Sequence, residues 1–380
     1  MNVFGAMLLD SYRELNSKKL FWISLGLSLL VVLAFAALGI TEKGITVLWF
    51  ELPIELFNTA IISESTFYKL LFSNLGVQFW LAWVSTILAL VSTAGMIPDF
   101  IAGGAIELTL SKPVTRAKLF IMKYICGLLF TAMQVAVFTT ASFLVIGIRG
   151  GEWIPALFLS VPLVVLFYSY LFSVCALVGM ITRSTIAALL VTMLFWVALF
   201  AVNTTDAIFV QLRNSSEAQI EALEKTIVRM EKAAVTKIES GAEPPAEGKT
   251  YSQAELDTAN PLLPLRRAKL SEQRESLEDW KLWSQGTFVA KTILPKTTET
   301  VELLERKLVS LADIEALGPP ERRNVRVKDA DDVAVPRGEA ERRAEAEFRK
   351  RPVWWIIGTS IGFEFLVLGI ATLIFCRRDF

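Results

Sequence analysis

Histidine occurs nowhere in the 380 residues. Its absence removes imidazole proton shuttles, histidine-activated nucleophiles and histidine-ligated zinc together. Cysteine is nearly as scarce. Cys126, Cys175 and Cys376 sit in apolar runs or at their edge, with no C-x-x-C spacing, and read as small apolar packing residues. The long polar segment has none, so it does not rely on disulfides. Neither a G-x-x-x-x-G-K-[ST] phosphate loop nor a strand-linked G-x-G-x-x-G is present, so the chain lacks the usual means of holding a nucleotide. The acidic run Asp329–Asp332 resembles a metal motif superficially. It stands in a loop with Pro and Gly and without partner ligands, and reads as solvated charge. Net charge is uninformative, because 38 basic residues balance 38 acidic ones.

What is abundant is apolar length. Hydrophobic residues make up 53% of the chain, and mean hydropathy is +0.50. Six runs are long enough to cross about 30 Å of hydrocarbon at 1.5 Å per residue: Leu20–Ile40, Val77–Ile97, Leu119–Ile148, Trp153–Met180, Thr185–Val202 and Val353–Phe375. Residues 1–19 carry Val3, Phe4, Met7, Leu8, Tyr12 and Leu15 at helical spacing with charges between them, the pattern of an interfacial amphipathic helix. The run that follows is too long for a cleavable signal and reads as a retained span. Ile45–Ile62 is apolar too, but Glu51, Pro53 and Glu55 make it an interfacial or re-entrant piece. The expectation is an all-α integral membrane protein with six transmembrane helices. Its segments are 1–19, the first five spans over 20–202, a polar insert over 203–352, and the last span with a short tail over 353–380.

Charge distribution orients the chain. If the amino terminus is cytoplasmic, short inside segments hold ten Lys or Arg residues and short outside segments hold three, Lys43, Lys69 and Arg149. Both termini are then cytoplasmic and the insert is extracytoplasmic. Arg349, Lys350 and Arg351, just outside the last span, run against that rule, from which long translocated segments are largely exempt.

The insert holds 25 basic and 27 acidic residues within Val202–Pro352 and is mostly helical by pattern. Ser215 or Ser216 is placed to cap a helix with Ile220, Leu223, Ile227 and Met230 on one face. Gly241–Leu262 reads as a loop. A second helix over Leu265–Trp283 forms an antiparallel hairpin with the first. Thr300–Leu317 and Glu339–Lys350 complete the helices, with Gly318–Gly338 as loop.

Between the second and third runs, residues 98–118 are too short for a domain and too charged to cross a bilayer. Pro98 ends the preceding span, and Gly103-Gly104 allow a sharp turn. Ile106-Glu107-Leu108 sets an acid among apolar contacts, Ser111-Lys112-Pro113 makes a second turn, and Thr115 is placed to cap the third span. Gly104, Glu107, Leu110-Ser111-Lys112-Pro113-Val114-Thr115-Arg116 and Lys123-Tyr124 resemble the G-x-x-E-x-L-L-S-x-P-[VI]-[ST]-R…-G-K-Y elbow of ABC-2 type transporter permeases. Thr109 stands where a second Leu is common; the outer loop is unusually long, and for that reason substrate class does not carry over. The resemblance implies a non-catalytic permease subunit with no cofactor of its own. It implies a cytoplasmic ABC ATPase carrying ATP and Mg, a second permease that is a copy or a sister chain, and export as the direction. It also implies that the elbow is a coupling helix in which Gly104, Glu107, Ser111, Pro113 and Arg116 meet the ATPase. The expected setting is a plasma membrane, the inner one in a bacterium, with lipids around the chain and no nucleic-acid partner.

Glu364 lies 11 residues into the last span, where an ionisable group is costly and by default functional. Gln134 and Tyr168 or Tyr170 are its expected polar neighbours. Gly358-x-x-x-Gly362, one to two turns away, marks close helix packing. Two further functions stay open at this stage: a membrane-bound lipid or sugar transferase using carboxylates, and a scaffold or sensor with a helical outer domain.

Overall fold

A computed structural model describes residues 13, 19–42, 44–52, 63–102, 115–240, 251–309 and 337–377. Among these, six helices are long and apolar enough to cross a membrane. They are α1 (Lys19–Ala37), α2 (Glu64–Ile101), α3 (Arg116–Arg149), α4 (Pro155–Thr182), α5 (Thr185–Ser240) and α10 (Val353–Arg377). Helices solve the problem lipid poses, because each backbone N–H and C=O is satisfied within the segment. The expected amphipathic helix over 1–19 and the coupling residues Gly104, Glu107, Ser111 and Pro113 lie outside the described residues.

Local chemistry sets the boundaries. Ser63 opens α2, its hydroxyl accepting from the Thr66 N–H at 3.2 Å, with Glu64 favourably placed in the positive first turn. The second run thus begins 13 residues before the apolar stretch that signals it. From Leu71 to Ser85 the helix widens into a π-helix, a rare geometry often found at functional sites. Arg183, with φ of 54°, terminates α4 in a left-handed cap. Thr115 precedes α3 as expected, yet its side chain makes no cap hydrogen bond. The expected cap at Ser215 or Ser216 is replaced by helix: α5 runs through both, and Ser215 bonds back to the Gln211 carbonyl at 3.2 Å.

Residues 38–41, 44–47 and 50–52 form a small antiparallel sheet, which the sequence reading does not foresee. Strands β1 (Leu38–Thr41), β2 (Gly44–Val47) and β3 (Phe50–Leu52) pair in chain order, with Thr41 opposite Gly44 and Val47 opposite Phe50. Their β-branched residues and the two-residue connection between β2 and β3 suit hairpins.

The chain divides into two compact units, the first comprising Met1–Ala201, Lys291–Pro319 and Pro352–Phe380, the second Val202–Ala290 and Pro320–Arg351. In the first, α4 is central, packed by α3, α10, α2 and the short helix α8 (Thr297–Leu308), while α1 packs on α3 and α2. Phe138 of α3 holds α1 and α2 together, with Phe35 edge-on at 6.1 Å and Phe72 stacked at 6.2 Å. Lipid tails are as apolar as these side chains, so close packing and hydrogen bonds, not water exclusion, hold such helices.

In the second unit the expected antiparallel hairpin is present, and a third helix joins it. Arg267 pairs with Glu231 and Arg274 with Glu224, one antiparallel register between α5 and α7 (Leu263–Ile293). Arg213 pairs with Glu347 and Arg343 with Glu221, which sets α9 (Arg337–Lys350) antiparallel to α5 as well. The stretch read as loop before α7 holds a helical turn, α6 (Gln253–Ala259), started by a reciprocal Ser252–Glu255 capping box. Arg351, one of the cations that break the positive-inside rule, makes a buried ion pair with Asp206 at 2.9 Å and stacks on Phe348.

Candidate functional site

Three polar clusters stand out in the first unit, at one end of the spans, at their middle, and around α8. At the first end, α2 closes on Pro98 and Asp99. Asp99 accepts a hydrogen bond from the Thr185 hydroxyl at 3.2 Å, which sets the end of α2 beside the start of α5. Arg116, the one predicted coupling residue within the described chain, begins α3. Its guanidinium donates to the Cys376 carbonyl near the end of α10 at 3.5 Å, and one turn on, Phe120 and Phe375 rings meet at 5.6 Å. Lys123 sits over the Phe100 ring at 5.3 Å. The residues that flank the elbow therefore tie α2, α3, α5 and α10 at one face.

At the middle, Glu364 of α10 is half-buried. Its Oε1 accepts from the Tyr124 hydroxyl of α3 and its Oε2 from the Ser169 hydroxyl of α4, both at 2.8 Å. No basic side chain pairs with it among the described residues, so two neutral donors answer the cost of a carboxyl in lipid. Tyr124 also donates to the Ser169 carbonyl at 2.8 Å. Its ring stacks on Phe172, which stacks in turn on Tyr168. Gly127 permits this approach: a Cβ there would lie 2.5 Å from the Phe172 ring. Tyr168 is separated from the carboxyl by the Tyr124 and Phe172 rings and shares a 2.5 Å hydrogen bond with Thr93 of α2 instead.

The expected Glu364–Gln134 neighbourhood does not form. Gln134 donates to Ser24 of α1 and, at 2.9 Å, to Ser85 of α2, in a separate cluster. Helical spacing alone could not tell which side of α3 faces α10. The Gly358/Gly362 packing expectation is not met within the described chain either, since a Cβ at either position would meet nothing within 4 Å.

The third cluster is not foreseen by the sequence reading, which places Thr300–Leu317 as one helix of the polar insert. Pro295 breaks the chain between α7 and α8, and Lys296 follows it fully buried. The Lys296 ammonium donates to the Thr292 and Leu294 carbonyls at 2.8 and 3.0 Å and to the Thr359 hydroxyl of α10 at 2.5 Å, and lies 4.7 Å from the Trp355 ring centroid. Its backbone N–H donates to Ser360 at 2.9 Å. Lys291 and Glu299 form a buried ion pair. Glu305 accepts from Gln78, in the π-helical stretch of α2, at 2.7 Å. Desolvation lowers Lys296 to about 8, and desolvation together with the nearby Glu299 carboxylate raises Glu302 to about 7. The stripe Val301, Leu304 and Leu308, in register in the sequence, is buried, and it carries the charged residues of the same helix in with it.

The family model for ABC-2 family transporter protein matches residues 2–277. The chain belongs to the ABC-2 transporter family: it is a multi-pass membrane permease component of an ABC transporter. No curated protein and no solved structure matches it.

Proposed function

We propose that this chain couples ATP hydrolysis on a separate cytoplasmic ABC ATPase to export across a plasma membrane, paired with a copy of itself or a sister permease. The observation that carries the reading is the junction of Arg116 and Phe120 with Cys376 and Phe375. A push on residues 98–118 would pass through α3 to the end of α10. That helix also carries Glu364, bonded to α3 and α4. A displaced elbow would thus act on three spans at their end and their middle at once, as a two-state rocking of packed helices requires. ATP and Mg would sit on the partner chain, and Glu107 and Arg116 would contact it. Both termini would be cytoplasmic and the second unit extracytoplasmic.

The test is purification of the chain with the ATPase that accompanies it, followed by reconstitution. Glu107→Lys and Arg116→Ala should abolish stimulation of that ATPase by the chain without reducing expression. Undiminished stimulation in both variants refutes the coupling role.

A further inference from the structure

A groove of about 430 Å³ opens where α1 and α3 end, lined by Ala36, Leu48, Trp49, Val145, Ile148 and Arg149. Five of its six lining residues are apolar and the sixth is a cation. The groove sits at the last turns of two membrane-crossing helices, the level at which acyl chains give way to headgroups.

The roof of the groove carries an independent signal. Leu48 and Trp49 form the two-residue turn between β2 and β3, and Leu48 has φ of 57°. Such turns favour Asn-Gly, because a bulky residue in left-handed backbone is strained. Here the strained turn presents two large apolar side chains, Trp49 at 87% exposure. Strain of this kind persists where the surrounding structure holds it in place. The Leu48 N–H donates to the Ala37 carbonyl at 2.7 Å and Tyr68 donates to the Leu38 carbonyl at 2.8 Å, which fasten the hairpin to α1 and α2.

Arg149 interacts with the Tyr68 hydroxyl, which takes up one of the five N–H donors of its guanidinium. The nearby acid Glu152 is taken by Lys69 at 3.3 Å and by the Ser65 hydroxyl, and no acidic side chain pairs with Arg149 among the described residues. A planar guanidinium above an apolar trough matches a phosphate ester above its acyl chain.

We infer that this groove holds one glycerophospholipid of the surrounding membrane, its phosphate on Arg149 and an acyl chain along Val145 and Ile148 beneath the Leu48–Trp49 turn. The inference does not depend on the coupling reading, since it concerns other residues and another measurement.

Native mass spectrometry of the full chain in detergent, with limiting phosphatidylglycerol, diacylglycerol of the same acyl chains, or inorganic phosphate, tests it. One phosphatidylglycerol adduct per chain is expected, with diacylglycerol and inorganic phosphate retained at least about tenfold less. Arg149→Gln should lower phosphatidylglycerol retention about tenfold, and Arg149→Lys less. In parallel, phosphatidylglycerol with a photoreactive acyl chain, added to wild-type protein in membranes, should label Trp49, Val145 or Ile148, a readout independent of how the variants fold. Equal retention by Arg149→Gln, equal retention of diacylglycerol, or labelling confined to other residues would each overturn the inference. So would a change of oligomeric mass in Arg149→Gln, which would make the groove a contact between chains.

Discussion

Glu302 is a half-buried carboxyl whose proton is retained to about pH 7, through desolvation and the charge of Glu299. Between its ordinary value of 4.5 and about 7 the folded chain binds more protons there than the unfolded chain does. The associated stability is therefore present at acid pH and lost as pH rises through that window. Lys296 acts in the next window: its value is lowered from 10.5 to about 8, so the fold gains stability as pH rises from 8 toward 10.5. Stability should fall between pH 5 and 7, by on the order of 1–3 kcal/mol for Glu302. Glu302→Gln should flatten that slope in thermal melts of the detergent-solubilised protein; a slope unchanged by the substitution contradicts the assignment. Tyr124→Phe removes one of the two donors to Glu364 and should cost about 1 kcal/mol in the same melts. On the coupling reading it should also reduce transport more than that loss of stability explains. At this scale the sequence exposed Glu364 by its cost in lipid, but not Tyr124 or Ser169, because partner choice depends on helix rotation. Lys296 and Glu299 were hidden for the opposite reason, being charged residues in a charge-rich stretch.

Elements were legible where length and apolarity decide them. Each of the six runs holds a membrane-length helix, though the first ends at Ala37 and gives way to β1, since no other open structure satisfies a backbone in lipid. Ends were less legible. Ser215 is as good a cap as it is a back-bonding hydroxyl, and only the continuing helix decides between them. The sheet at 38–52 had its signals, β-branched pairs around Gly44, but the carboxylates Glu51 and Glu55 directed the reading to an interfacial piece. Arg351 shows the same limit from charge. Counted as a cation it contradicts the positive-inside rule, whereas in the fold it neutralises buried Asp206 between α5 and α9. Breaking a buried pair leaves a lone charge, so Asp206→Ala should destabilise the second unit by about 3–5 kcal/mol, read as earlier proteolysis of residues 202–290. Wild-type resistance in that variant would place the pair in solvent.

For the whole molecule, the described contacts constrain direction. Tyr68 near the start of α2 reaches Leu38 just beyond the end of α1, Thr185 at the start of α5 reaches Asp99 at the end of α2, and Arg116 at the start of α3 reaches Cys376 near the end of α10. The starts of α3 and α5 and the ends of α2 and α10 share one face, and family membership makes the whole a transporter's membrane component. The coupling mechanism requires that face to be the cytoplasmic one, where a nucleotide-driven partner would press on residues 98–118. Cys126 and Cys175 are buried and Cys376 is exposed, so Ser111→Cys in a Cys376→Ser background offers a single reactive thiol for a membrane-impermeant maleimide. Labelling of inside-out vesicles but not of intact cells is the predicted result. Labelling of intact cells would put the elbow on the outer surface and contradict the mechanism.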